Sequence, residues 1–117
     1  MNWFSKKKSS SFHWYRLTDD YSYQSAIQKS YEEKILIFKH STRCSISSMA
    51  LNRIEENTKQ SINNCYFLDL LKYRSISNKI EVELDIKHES PQILVIEKGV
   101  CTYHTSHNDI SWDRIPN

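Results

Sequence analysis

Cys44 is the residue best placed to do chemistry in this chain, and Ser47, three positions on, decides which chemistry. The stretch Cys44-Ser45-Ile46-Ser47 follows Lys39-His40-Ser41-Thr42-Arg43, where a short apolar run gives way to helical periodicity. That junction puts the sulfur at the start of a helix. It would face the N–H groups of the first turn, which lack carbonyl partners, and the positive end of the helix dipole. Both favour thiolate over thiol, and the thiolate is the form that attacks disulfides. Thr42 or Ser41 can cap the turn, while Lys39, His40 and Arg43 add positive or donor character, so a depressed thiol pKa is expected. The competing reading is a small buried residue behaving as a hydrophobe; position, caps and local charge together favour reactivity. Because Ser47 stands where a dithiol protein carries its second cysteine, no disulfide can close across the first turn. The cycle then needs a second thiol from solution.

The other polar candidates carry less. Cys65 opens a strand and Cys101 lies in a hairpin, where cysteines with apolar neighbours are inert packing residues. A resolving role for either requires its sulfur within bonding reach of Cys44. Cys101, His104 and His107, spaced by three, invite a metal reading. Along a strand, however, Cys101 and His104 point to opposite faces, so no metal is expected. His88 reads as a solvated loop histidine.

The elements that must position Cys44 follow from periodicity. His13 to Leu17 reads as a short strand, and Thr18-Asp19-Asp20 caps a helix with Tyr23, Ala26, Ile27 and Tyr31 on its inner face. Ile35 to Lys39 fits a central strand covered on both faces. A second helix is expected from about Arg43 to Gln60, with Ile46, Met49, Ala50 and Ile54 inward and Arg53, Glu55, Glu56 and Lys59 outward. Cys65 to Leu70 forms a third strand. Residues 75–86 are ambiguous: Ile76, Ile80 and Leu84 make a helical stripe, but Ile80, Val82, Leu84 and Ile86 alternate like a strand. A helix is preferred, since it completes another β–α–β repeat. Gln92 to Ile96 and Val100 to Thr105 form a hairpin whose turn uses Gly99, and Asn108-Asp109 can cap a short terminal helix carrying Ile110 and Trp112. The order implies an α/β sandwich with a parallel half and an antiparallel hairpin edge.

Bulk properties bound the rest. At 117 residues, 38% hydrophobic and 12% aromatic, the chain should fold as one domain over 13–117, after a basic, serine-rich, flexible lead-in over 1–12. A formal net charge of +2 gives no argument for nucleic acid. One glycine excludes the Gly-rich phosphate cradles of nucleotide enzymes. The aliphatic runs are too short for a membrane span, and no apolar segment follows Lys6-Lys7-Lys8 to make a signal peptide, so a cytoplasmic protein is expected. Three cysteines, an odd number, argue against a disulfide framework.

The run from Lys39 to Ala50, with Leu68-Asp69-Leu70, Tyr73-Arg74 and His88-Glu89-Ser90-Pro91-Gln92 downstream, resembles the monothiol bacilliredoxin family of the bacillithiol system, over roughly residues 13–107. The resemblance implies a thioredoxin-like three-layer α/β/α sandwich with a mixed central sheet in the order 1-3-2-4-5. It also implies a cis Ser90–Pro91 peptide facing the cysteine, where the backbone before the proline can pair with a substrate. The implied reaction removes a low-molecular-weight thiol from protein mixed disulfides. Cys44 would be catalytic, and Thr42, Arg43, Ser47, Ser90 and Pro91 would contact substrate. Arg43 and Lys39 are candidates for holding the small thiol's carboxylates. No bound cofactor is implied. The low-molecular-weight thiol is a co-substrate, S-thiolated proteins are the partners, and a monomer is expected. Relatives often place proline after the cysteine, where this chain has Ser45. An iron–sulfur monothiol glutaredoxin fits poorly, because its characteristic glycines are missing. The rival of a different class is a non-catalytic binding module on the same fold.

Overall fold

The computed structural model describes residues 12–56 and 58–117. Five strands, β1 (Tyr15–Arg16), β2 (Ile35–His40), β3 (Asn64–Asp69), β4 (Gln92–Glu97) and β5 (Val100–Ser106), alternate with helices α1 (Asp20–Lys29), α2 (Ser45–Glu55) and α3 (Arg74–Leu84). The sheet order is β1-β3-β2-β4-β5. β1 and β2 run parallel to β3, whereas β4 is antiparallel to β2 and β5 to β4. The mixed sheet with helices on both faces is the α/β sandwich expected from the sequence.

β2 is central and every residue in it is buried. Its pleat sends Leu36 and Phe38 to the face covered by Ala50 and Ile54 of α2, joined there by Ile110 and Trp112. Ile35 and Ile37 go to the other face, against Tyr23 and Ala26 of α1 and Ile76 and Ile80 of α3. Phe12, assigned by sequence to the lead-in, is buried in the first of these clusters. The remainder of that lead-in, residues 1–11, lies outside the described residues.

Local chemistry sets the ends of the elements. α1 begins with a capping box in which Ser22 N–H donates to Asp19 Oδ1 at 2.8 Å and Asp19 N–H donates to Ser22 Oγ at 3.1 Å. It ends at Ser30, so Tyr31, expected on its inner face, is outside the helix and 56% exposed. Residues 74–84 are helical, and the helix stops where Asp85 turns left-handed at φ 58°. Val82 is 79% exposed while Ile80 is fully buried, a split that a strand would not give, since both would share one face. The β4–β5 turn uses positive φ at both Lys98 (51°) and Gly99 (77°), the geometry that suits a two-residue hairpin. At the C-terminus the expected helix is replaced by two 3₁₀ turns, His107–Asp109 and Trp112–Arg114, which still bury Ile110 and Trp112. None of the described helices is long and apolar enough to cross a membrane.

Candidate active site

The site forms at the C-terminal end of β2, where the chain leaves the sheet and enters α2. Cys44 N–H donates to Ser41 carbonyl oxygen at 3.1 Å, closing the connecting turn. Cys44 is itself the N-cap residue of α2, with extended backbone (φ −113°, ψ 121°), and Ser48 N–H donates to its carbonyl oxygen at 3.1 Å. Neither Ser41 nor Thr42 caps the helix. No side chain occupies the capping role, which leaves the first-turn N–H groups beside the sulfur. Cys44 is half-buried, and Thr42, Arg43, Ser45, Ile46 and Met49 around it are exposed.

Ser47 goes inward. It is fully buried, accepting Ser41 N–H at 3.0 Å, and its Oγ lies 2.7 Å from His40 Nδ1. A hydroxyl has one hydrogen and two lone pairs, so Oγ accepts from Ser41 N–H and shares a second hydrogen bond with Nδ1. Burial pushes the His40 pKa down, partly opposed by the Asp69 carboxylate, so the ring is neutral at pH 7. The Phe67 and Phe38 rings lie 5.4 and 6.0 Å from it. Ser47, expected at the substrate, therefore supports the turn from beneath, and His40 supplies a hydrogen bond rather than positive charge.

The inner face of α2 is turned from the one expected. Ser47, Ala50 and Ile54 are buried, whereas Ile46 and Met49 are 42% and 58% exposed. Arg53, expected outward, donates to Ile110 and His107 carbonyl oxygens at 2.8 and 3.0 Å and ties the helix to the C-terminal turns.

The Ser90–Pro91 peptide is cis. Lys39 pairs with Gln92 at the end of the β2–β4 ladder, so the Ser90–Pro91 peptide, which leads directly into Gln92, lies at the same end of the sheet as the β2–α2 turn. Topology thus brings Thr42, Arg43, Cys44, Ser90 and Pro91 to one end of the sheet. Pro91 is buried and its carbonyl oxygen accepts His107 N–H at 3.1 Å. Ser90 Oγ is buried with no hydrogen-bond partner among the described residues.

Lys39 and His88 differ most from expectation. Lys39 is fully buried, not a surface cation, and its Nζ donates to His88 Nδ1 at 2.9 Å and to Gln92 Oε1 at 3.3 Å. Burial lowers its pKa to about 8, opposed by the Glu81 carboxylate. His88 is half-buried, and its backbone N–H donates to Glu81 Oε2 at 3.0 Å. Burial and the Lys39 charge hold the His88 pKa down, so the ring offers Nδ1 as an acceptor. Gln92 and Glu81 carried no signal in the sequence. Lys39 carried one, since a strand buried on both faces leaves its final residues no route to water.

All three cysteines are free thiols. Cys65 is fully buried, its Sγ donates to Ile62 carbonyl oxygen at 3.3 Å, and burial pushes its pKa up to about 12. Cys101 is half-buried, and burial raises its pKa as well.

The family model of monothiol bacilliredoxin BrxC matches residues 15–115, nearly the whole chain. This chain belongs to the monothiol bacilliredoxin family. Solved structures agree on a thioredoxin fold. A candidate oxidoreductase with a thioredoxin fold superposes with a TM-score of 0.76 at 24% identity, covering 86% of this chain and 88% of the other. Mitochondrial thioredoxin 3 from Saccharomyces cerevisiae gives 0.66 at 15% identity, covering 86% and 87%. Fasciola hepatica thioredoxin gives 0.66 at 14%, covering 80% and 86%. At these identities the structures establish the thioredoxin fold, and the family establishes a thiol redox protein.

Proposed function

We propose that this bacilliredoxin is a monothiol thiol–disulfide oxidoreductase that removes a low-molecular-weight thiol, bacillithiol by family, from protein mixed disulfides through Cys44. The observation that carries this reading is the pairing of a half-exposed Cys44 at the uncapped start of α2 with a serine, not a cysteine, buried one turn on. One sulfur can attack, and no second sulfur follows it on the helix.

In the first step the Cys44 thiolate attacks the small-thiol sulfur of the mixed disulfide. A Cys44–small-thiol disulfide forms, the S–S bond between the small thiol and the protein's cysteine breaks, and that cysteine departs as thiolate and takes a proton from water. A second molecule of the small thiol, as thiolate, then attacks the adduct. It leaves as the symmetric small-molecule disulfide and regenerates the Cys44 thiolate. Thr42, Arg43 and the Ser90–Pro91 backbone are the substrate contacts in this scheme, with Arg43 positioned to meet an anionic group. Ser47 keeps a positioning role. No bound cofactor takes part, and a thiol-reducing compartment such as the cytoplasm suits the cycle.

The experiment offers one carrier protein as mixed disulfides with bacillithiol, cysteine and glutathione, and follows release by mass. Release is expected with the unmodified chain and with Cys65→Ala/Cys101→Ala, and is abolished in Cys44→Ser. Release that persists without Cys44, or that needs Cys65, overturns the one-thiol mechanism. Binding of the carrier with no release favours a non-catalytic module.

A further inference from the structure

The loop from Asp85 to Pro91 joins α3 to β4 with no regular structure, yet it must hold Ser90 and Pro91 steady at the end of the sheet. Its backbone finds few partners of its own. Ile86 N–H donates to Glu81 carbonyl oxygen at 3.3 Å, and Pro91 carbonyl oxygen accepts from His107. The remaining ties run through a polar cluster on the α3 face. His88 N–H reaches the Glu81 carboxylate at 3.0 Å, and Gln92 Nε2 donates to Lys87 carbonyl oxygen at 3.0 Å. Lys39 Nζ sits between, bonded to both the His88 ring and the Gln92 side chain, with Ser77 Oγ 3.4 Å from the same ring nitrogen.

A fully buried lysine is an unusual choice for this place. Desolvating an ammonium is costly, and apolar side chains of similar volume fill a core at no such cost. What the amine supplies and a methylene chain cannot is direction: two donated hydrogen bonds, one to His88 in the middle of the loop and one to Gln92, where the loop enters β4. The next residue, His40, fixes the opposite half of the site through Ser47 and Ser41. Neighbouring residues of one rigid strand therefore reference both halves of the site to the same backbone.

Resting on the function proposed above, we propose that Lys39 is a positioning residue: by clamping His88 and Gln92 it sets the Ser90–Pro91 segment relative to Cys44, and so governs how a mixed disulfide docks rather than how the thiol reacts.

The test compares the unmodified chain with Lys39→Met, which keeps the length and loses the donors, and with His88→Leu, which removes the acceptor from a half-buried position. Three quantities are read: KM and kcat for release from the bacillithiol-modified carrier, and the rate of Cys44 alkylation by iodoacetamide. Lys39→Met is expected to raise KM about tenfold, the worth of one charge-assisted hydrogen bond, with kcat and alkylation within about twofold. His88→Leu should move KM the same way, and it carries the test if Lys39→Met does not fold. An unchanged KM in a folded variant overturns the proposal, as does a parallel loss of kcat and alkylation, which would make Lys39 a support of the fold alone. If the unmodified chain releases no small thiol, the functional reading fails by itself. Backbone amide exchange of residues 86–92 then decides: faster exchange in Lys39→Met with β2 unchanged supports the clamp, and equal exchange in both chains removes it.

Discussion

Lys39 and His40 are consecutive on β2, both buried, and directed by the pleat to opposite faces of the sheet. On the α2 face, His40 lies among Phe38 and Phe67 and meets one hydroxyl, that of Ser47. Burial lowers its pKa, and a neutral ring with one strong hydrogen bond is a stable answer in such surroundings. On the α3 face, Lys39 has a ring nitrogen, an amide oxygen and a nearby carboxylate. Those acceptors let a charged group remain, though at a reduced pKa. The aromatic face thus solves its polar problem by neutrality and a single bond, and the other face by a network. A single bond fails when one atom is removed. A network gives way in parts and with pH.

Ser47→Ala removes the single bond of the aromatic face outright. It leaves His40 Nδ1 and the Ser41 N–H without their shared partner, at about 1–3 kcal/mol for each polar group left unpaired, so a loss of roughly 2–6 kcal/mol is expected in urea unfolding. Its counterpart on the other face is Ser77→Ala. There the hydroxyl is 3.4 Å from a ring nitrogen already served by Lys39, and the expected loss is under about 1 kcal/mol. Equal losses would erase the distinction between one bond and a network.

The next effect is set by pH. The unfolded chain holds its Lys39 proton up to 10.5 and the folded chain up to about 8, so between those values the unfolded state binds more protons and stability rises with pH. The full rise attributable to Lys39 is about 3 kcal/mol, from roughly 1.4 kcal/mol for each pKa unit. It is read as the difference between the unmodified chain and Lys39→Met across that window, which subtracts the titration of cysteines and tyrosines. A flat difference curve would mean that the network solvates the ammonium as well as water does.

Much of this was legible in the sequence, and the failures have one physical cause. Continuous burial of β2, the thiol at the helix start, the serine in place of a second cysteine and the sheet order were all read correctly from apolar runs, spacing and resemblance. The inner face of α2 was read wrongly because hydrophobic periodicity counts apolar residues. The buried position at the first turn is Ser47, whose burial depends on a partner seven residues earlier, and the stripe was therefore drawn through Ile46 and Met49. Lys39 was read as a cation for the small thiol, and His88 as a solvated loop residue, for the same reason. Each is acceptable inside only because the other is there, and 49 positions separate them in sequence. Periodicity sees one residue at a time, whereas buried polar pairs are decided two at a time. Thr42, Arg43, Ser90 and Pro91, named as substrate contacts through the resemblance, lie where the β2–α2 turn and the entry to β4 share one end of the sheet.

The smallest and most discriminating change is Glu81→Gln. The substitution keeps an oxygen that can accept the His88 N–H and removes only the negative charge. That charge opposes the effect of burial on Lys39, holding its pKa higher than desolvation alone would leave it. Without it the ammonium becomes harder to keep, and the alkaline rise in stability should begin at a lower pH than in the unmodified chain. Below that point the folded state carries a less compensated charge, so stability at neutral pH should fall by about 0.5–1 kcal/mol, a modest loss because His88 and Gln92 still accept from Nζ. His88 responds in the same direction in this variant. Its own pKa, held down by burial and by Lys39, also loses support from Glu81 and should drop further, making the ring a more dependable acceptor. An NMR titration of His88 beside the stability curve therefore reads both members of the pair. A downward shift in both places the carboxylate in the network; movement of His88 with Lys39 unmoved would reduce Glu81 to a backbone anchor for the loop.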